Sequence, residues 1–369
     1  MKSRLLLAPL FMAATLTYAS AQEIPVGIIS VQSGANAFSG VPMANGIHLA
    51  IDEANKKGYL GATKIKLIDG DYANDKAQAI SLANQFIKRD KVVLSFGPLN
   101  SPDTLAVAPV FNDNKTPVLA LATSDRVIET GPFAFKLEIT PTELLVSVAK
   151  YVAQKTKIRR VAVVYQTTND AQIEMKNVFS ENLKAAGGTI VSDDGLSPNE
   201  SNFLPLVTKI VSSNVDGVFI ILNAEQAANL MVQLRQGGLA QSVPFIGSTS
   251  IVSPRMLAIA GKAAEGAIGQ AEFIAGQERN KDIEQAYKAR FGVEIDAYAG
   301  LGYSMGLIGL QAIKLAGPDP TPEKVRDALL NVGQVAVPLG DGTWSHSNRK
   351  PKYESVIVQV KDGKFVPVP

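Results

Sequence analysis

The sequence predicts an α/β protein built as two doubly wound lobes, and three observations carry that expectation. From Gln22 onward, short apolar runs alternate with longer amphipathic ones, the pattern of stacked strand–helix units. That alternation runs to Leu121 and restarts after Pro141, giving two consecutive sets. A chain of 369 residues is also long enough for two domains, each with its own core.

In the first set, Val26–Ser30 reads as a buried strand and residues 40–57 as a helix stopped by Gly58. Residues 64–68 form the second strand, 75–89 a helix and 92–96 the third strand. Ser101-Pro102-Asp103 opens the next helix with a capping hydroxyl, a proline at the first position and an acid in the first turn. Residues 117–121 form the fourth strand. The second set has helix 141–155, strand 160–165 and helix 170–186, which Gly187-Gly188 ends. Strand 189–192, helix 202–213, strand 217–222, helix 224–236 and strand 244–246 complete it. In the tail, 281–291, 298–315 and 322–331 read as helices and 353–360 as a strand. Those helices cannot bury their apolar faces alone and must return to an earlier lobe.

The first residues read as an export signal. Lys2 and Arg4 precede an apolar run from Leu5 to Leu16, and Ala19-Ser20-Ala21 supplies the small residues a signal peptidase needs. The run is shorter than the ~20 residues that span a bilayer, so cleavage after Ala21 is expected to release a periplasmic protein. No cysteine occurs, which excludes a lipid-anchored signal, disulfides and a thiol nucleophile. Without Lys2 and Arg4 the 36 basic side chains fall level with the 34 acidic ones. No basic stripe is present, so nucleic acid is a poor partner.

Catalytic chemistry is thinly supplied. His48 lies in an amphipathic helix and His346 in a polar loop, and neither has a partner at metal-ligand spacing. No nucleophile elbow appears, and Asp193-Asp194 fits a solvated turn better than acid–base work. The glycine-rich segment 34–40 lacks the spacing and the Lys-Ser/Thr of a phosphate loop. Segment 300–306 lies in a helical pattern, where small residues permit close helix packing. No enzyme activity, metal or cofactor is expected.

Polar chemistry instead gathers after the strands, where open α/β sheets bind ligands and helix N-termini present free N–H groups. Those loops read Ser33 to Ser39, Asn100-Ser101 and Ala122-Thr123-Ser124. Hydroxyls beside helix N-termini suit a carboxylate, although plain capping explains Ser101 equally well.

The segments Ile24-Pro25-Val26-Gly27-Ile28, Ser33-Gly34 and Gly46 through Leu49-Ala50 to Glu53-Ala54-Asn55 resemble the start of periplasmic receptors of the leucine/isoleucine/valine-binding type. The likeness continues, in order, through Asp69 to Asp75, Gly97-Pro98, Ala106 to Pro109, Pro117-Val118 and Ala122-Thr123-Ser124. Arg160 to Val163, Leu183 to Gly188 and Ala264-Glu265-Gly266 extend it over nearly the whole chain beyond Ala21.

That resemblance implies a type I binding-protein fold with three crossovers at a hinge. Residues 23–139 and 276–332 would form one lobe, and 140–275 and 333–369 the other. It also implies a monomer delivering a small ligand to an ABC permease in the inner membrane. Phe38 or Ser39 would meet the ligand's side chain, and Asn100, Ser101, Ala122 and Thr123 its carboxylate. Asn169 stands where such receptors often have a tyrosine, Asn223 follows a strand of the second lobe, and Tyr298 matches an aromatic that closes the pocket.

One departure matters. Amino-acid receptors of this type place an acid after the strand that ends near Ile246, whereas this chain reads Gly247-Ser248-Thr249-Ser250. A buried ammonium without a carboxylate partner is costly. The expected ligand is therefore a carboxylate lacking an α-amine, an aromatic or 2-oxo acid, with Ser248 and Thr249 meeting a keto or hydroxyl group. The alternatives are a branched-chain or aromatic amino acid whose ammonium meets Asp170 or another acid, and a sensory adaptor that presents the loaded lobes to a membrane receptor.

Overall fold

The computed structural model describes residues 22–34, 36–197 and 200–368, so the export segment expected over residues 1–21 lies outside the described residues. Strand β1 (Glu23–Ser30) is buried from Val26 on apart from its edges, because helices cover both faces of a parallel sheet. The first set continues with α1 (Ala37–Lys56), β2 (Lys64–Asp71), α2 (Lys76–Lys88), β3 (Leu94–Leu99) and α3 (Ser101–Asp113). Strand β4 (Val118–Leu121), the single turn α4 (Arg126–Glu129) and β5 (Ala134–Lys136) complete it. All five strands pair in parallel in the order β2-β1-β3-β4-β5. Strand β5 is too short, and too interrupted by its lysine, to show as an apolar run in the sequence.

The second set begins with α5 (Pro141–Lys155), started by a reciprocal cap between Thr140 and Glu143 with Pro141 at the first position. It proceeds through β6 (Arg160–Gln166), α6 (Asp170–Ala185), β7 (Thr189–Leu196), α7 (Leu204–Ser212) and β8 (Gly217–Ile221). Helix α8 (Ala224–Gln236), β9 (Phe245–Gly247), α9 (Pro254–Ala260) and β10 (Ile268–Ala271) follow. The chain then returns to the first sheet with α10 (Lys281–Phe291), α11 (Ala297–Ala316) and α12 (Pro322–Leu330). Three short strands come next, β11 (Val335–Ala336), β12 (Thr343–Ser347) and β13 (Lys350–Lys352), and the hairpin β14 (Val356–Lys361) and β15 (Lys364–Pro367) ends the fold. The second sheet runs β15-β14-β10-β9-β8-β6-β7, antiparallel only where β14 and β15 join it.

Residues 335–352, expected with the second lobe, pack with the first instead. Val335, Val337, Leu339 and Trp344 are buried in the core built on β1 and α11. The Trp344 indole N–H donates to the Leu137 carbonyl at 3.0 Å. At the β12–β13 turn, the Arg349 guanidinium donates to the carbonyls of Ile128, Gly131 and Ala134. The sequence could not show this placement, because strands of two to five residues carry almost no periodicity.

The chain therefore passes between the two sheets three times: at residues 137–140, after β10 at 272–280, and at 353–355. Among the described residues, the hydrogen bonds that join the two halves run through these crossovers, as in Ile139 N–H to the Tyr353 hydroxyl and Gly340 N–H to the Glu272 carbonyl. Two bodies tied only at one end are free to pivot.

Helices α1 and α11 touch backbone to backbone. A Cβ at Gly46 would stand 2.1 Å from the Ala299 carbonyl oxygen, and one at Gly302 would stand 2.0 Å from that of Met43. The glycines of segment 300–306 are thus packing residues. Gly302→Ala must push the two helices apart, and overpacking of this kind costs about 1–3 kcal/mol. Urea unfolding should show a loss in that range, and an unchanged midpoint would contradict the contact.

Candidate functional site

The C-terminal ends of β1, β3 and β4 lie side by side, and their loops form one edge of the first sheet. The loop after β1 is shaped by Asp71, whose carboxylate accepts the N–H groups of Gln32 (2.9 Å) and Ala73 (2.8 Å). Burial pushes the Asp71 carboxyl up, but these bonds and those from Ser33 outweigh it and hold the group below its usual range. Phe38, in the first turn of α1, is 65% exposed. Its ring meets that of Tyr298, at the start of α11, edge-on with centroids 6.2 Å apart. The two aromatic walls expected from the sequence therefore stand together. Ser39 is buried, with its hydroxyl bonded to the Asn36 carbonyl, so of the two candidates on this turn Phe38 is the one presented to solvent.

The loop after β3 is held from beneath. Asn100 adopts φ 81°, and its side-chain oxygen accepts the Asp103 N–H at 2.9 Å while its amide donates to the Asp103 carboxylate at 2.8 Å. The buried Tyr72 hydroxyl donates to the same carboxylate at 2.7 Å, and burial with this bond pushes the Tyr72 phenol far up. Ser101, the first residue of α3, is thereby fixed in place. Its Oγ accepts the N–H groups of Thr123 (3.2 Å) and Ser124 (3.0 Å), tying the β3 and β4 loops together. Ala122 is buried at the end of β4, while Thr123 and Ser124 are half-buried. The cap expected at Ser101 is supplied by Asn100 instead, because the Ser101 hydroxyl is turned to the β4 loop; it bridges the two loops, and its proton remains to donate outward.

A lysine absent from the sequence-based set supports this edge. Lys136 on β5 is 1% exposed, and its ammonium donates to the Thr123 carbonyl at 2.7 Å and pairs with Asp125 at 2.7 Å. Lys350 on β13 meets the other Asp125 oxygen at 2.6 Å. Burial acts to raise the Asp125 pKa, but the two ammonium groups prevail and hold it below the usual carboxylate range.

On the second sheet, Asn169 and Asn223 are exposed caps, accepting the N–H groups of Gln172 (3.3 Å) and Gln226 (2.8 Å). Asn223 also lines a cavity of about 200 Å³ with Ser201, Phe203 and Gln226. Ser248 is buried, 3.5 Å from the Ser250 hydroxyl, and Thr249 is exposed on the short turn after β9. The Asp170 side chain lies outside what the structure describes. A second cavity, about 620 Å³, lies beside the hinge along Ile139, Glu143, Ser147, Tyr353 and Ser355; none of the expected ligand residues lines it.

Two of the acids near Tyr298, Glu138 and Glu272, come from the crossovers, and no sequence signal pointed to them. Glu138 on the first crossover stands close to Glu272 on the second, and the Tyr353 hydroxyl on the third donates to Glu272. Burial, and next the Glu272 charge, push the Glu138 carboxyl well above its ordinary range. Burial pushes Glu272 up too. Tyr298 is pushed up to about 12 by burial and by Glu138, Asp296 and Glu272 beside it.

The fold and this edge define a two-lobed ligand receptor. The chain matches the periplasmic binding protein family model over residues 23–364 and belongs to that family. It is 27% identical over 347 residues to a Leu/Ile/Val-binding protein of Citrobacter freundii, covering 93% of this chain and 92% of that one. Its fold is similar to that of a branched-chain amino acid transporter substrate-binding protein of Streptococcus pneumoniae in complex with isoleucine (TM-score 0.80, 19% identity, 93% and 98% of the two chains). It is equally similar to a solute-binding protein of an ABC transporter of R. palustris in complex with 4-hydroxybenzoate (TM-score 0.79, 22% identity, 94% and 96%). Among the described residues, no helix is long and apolar enough to cross a membrane.

Asp125 supplies a pH test of the supported edge. A carboxylate with a depressed folded pKa adds stability above its unfolded pKa of about 4 and loses it as pH falls through the folded value. Asp125→Asn should therefore cost about 1–2 kcal/mol at neutral pH. In chemical denaturation the gap to the parent protein should close on acidification below about pH 4. A gap that persists in acid would remove the ion pairs from the account.

Proposed function

We propose that this chain is the exported, periplasmic substrate-binding component of an ABC importer. In this reading it closes two lobes over a small carboxylate and does no chemistry on it. One observation carries the proposal: the Ser101 hydroxyl at the α3 N-terminus stands between the β3 and β4 loops, and the Phe38–Tyr298 pair rises from the same edge. A carboxylate is met by the hydroxyl and helix terminus, and an apolar or aromatic body by the rings. Thr123, Asn100 and Ala122 would complete the grip on the first lobe, and Asn169, Asn223, Ser248 and Thr249 would close from the second.

The favoured ligand is an aromatic or 2-oxo acid. The segment Gly247 to Ser250 supplies no acid for an ammonium, and the 4-hydroxybenzoate-bound relative supports the aromatic choice. A second reading, an amino acid, draws support from Glu138 and Glu272 beside Tyr298 and from the isoleucine-bound relative.

Calorimetric titration with 4-hydroxybenzoate, phenylpyruvate, 4-methyl-2-oxopentanoate and the corresponding L-amino acids tests both readings. At least one carboxylate should bind, and Ser101→Ala combined with Thr123→Ala should weaken it at least about tenfold, or ~1.4 kcal/mol. Unchanged affinity in the double variant would overturn the site, and tighter binding of an L-amino acid than of its 2-oxo analogue would overturn the favoured ligand.

A further inference from the structure

The peptide unit that joins Thr123 to Ser124 is gripped from both sides. Its carbonyl accepts the Lys136 ammonium at 2.7 Å, and its N–H donates to the Ser101 Oγ at 3.0 Å. The bond is trans, so the carbonyl and the N–H point in opposite directions. Lys136 on β5 and Ser101 at the start of α3 therefore meet the same planar unit from opposite edges.

The Ser101 Oγ also accepts the Thr123 N–H at 3.2 Å. A hydroxyl has two lone pairs and one proton, and the β4 loop takes both lone pairs. One bond is left to it, as a donor directed away from that loop. Donation then runs in a single direction: ammonium to carbonyl, amide to hydroxyl, hydroxyl to an incoming group. Bonds ordered head to tail polarise one another. The cation at the head is 1% exposed, so water screens it little. Asp125 pairs with it at 2.7 Å, but its other oxygen goes to Lys350 at 2.6 Å, so one carboxylate faces two ammonium groups. Among the described residues, Asp125 is the one acid in direct contact with Lys136.

We infer that Lys136 is a positioning residue for anion binding, an inference that rests on the carboxylate reading of this edge: through the Thr123–Ser124 peptide it makes the Ser101 hydroxyl an obligate donor and commits that subsite to an anionic group. None of the residues expected to touch the ligand is cationic. The positive charge reaches the ligand through a peptide and a hydroxyl instead, with the ammonium itself kept out of the cleft. A carboxylate oxygen completes the series of donors, whereas an ammonium has no acceptor to meet there.

Two measurements test it, the first without ligand. In protein labelled with ¹⁵N-serine, the Ser124 amide resonance is assigned by its loss in S124A. The double variant K136M/D125N removes the buried cation together with its partner, and Lys350, already more than half exposed, returns to water. The Ser124 amide proton should move upfield in that variant as its bond to Ser101 weakens, and K136R should restore it. K136Q, which keeps a neutral donor at the same place, should shift it less and serves if the double variant does not fold. The second measurement is a double-mutant cycle on affinity, with whichever of 4-hydroxybenzoate, phenylpyruvate and 4-methyl-2-oxopentanoate binds as the probe. K136M/D125N should weaken binding about fivefold when Ser101 is present and less than about twofold on top of S101A. An unmoved Ser124 amide, or an equal loss of affinity in both backgrounds, overturns the inference, because a loop that had merely loosened would add its cost to that of S101A. Failure of every titration falls on the carboxylate reading, whereas the amide shift of the unliganded protein decides the link from Lys136 to Ser101 by itself.

Discussion

The parallel pairing of β1 with β2 and β3, and of β3 with β4, is the constraint on which the rest depends. Parallel strands end on the same side, so each helix that follows begins there with its free N–H groups exposed. That geometry alone collects the first turn of α1, the Ser101 terminus of α3 and the Thr123 loop on one edge. The second sheet repeats it with Asn169, Asn223 and Ser248. Side chains scattered through the sequence become neighbours on one edge, where Ser101 bonds the Thr123 loop and Phe38 meets Tyr298.

What holds that edge in shape is a layer of buried polar contacts behind it. Tyr72 and Asp103 stand under Asn100, Asp71 stands under the β1 loop, and Lys136 stands under Thr123. Each is a buried or partly buried group whose hydrogen bonds are met by backbone or by a neighbouring side chain, which fixes a loop far better than exposed hydrogen bonds would. The exposed members, Phe38 above all, are left free to meet a partner.

The sequence made the long elements legible, because helices such as α1 and α5 and strands such as β1 repeat their apolar spacing over many residues. The caps were harder to place by one residue: the α3 cap was expected at Ser101, whereas Asn100 supplies it, because several capping residue types stand side by side at that turn. Strands β5, β10 and β11 to β13 were not legible, being too short to show a period. Lys136, Glu138 and Glu272 escaped for a different reason. Their meaning lies in pairings, such as Lys136 with Asp125 and Glu272 with Tyr353, that arise only once the chain has folded, and nothing local marks a charged residue as buried. The small residues at 300–306 were read as a packing surface, but their partner, α1, became visible only in three dimensions.

The contact of Gly302 with Met43 also governs when the molecule can fold. The first core needs α1, near the start, to lie backbone to backbone against α11, some two hundred and fifty residues later. Until that late segment has been synthesised, the early strands lack the surface that covers them, and contacts so distant in sequence form slowly. A polypeptide organised this way cannot close its first core until α11 has been made.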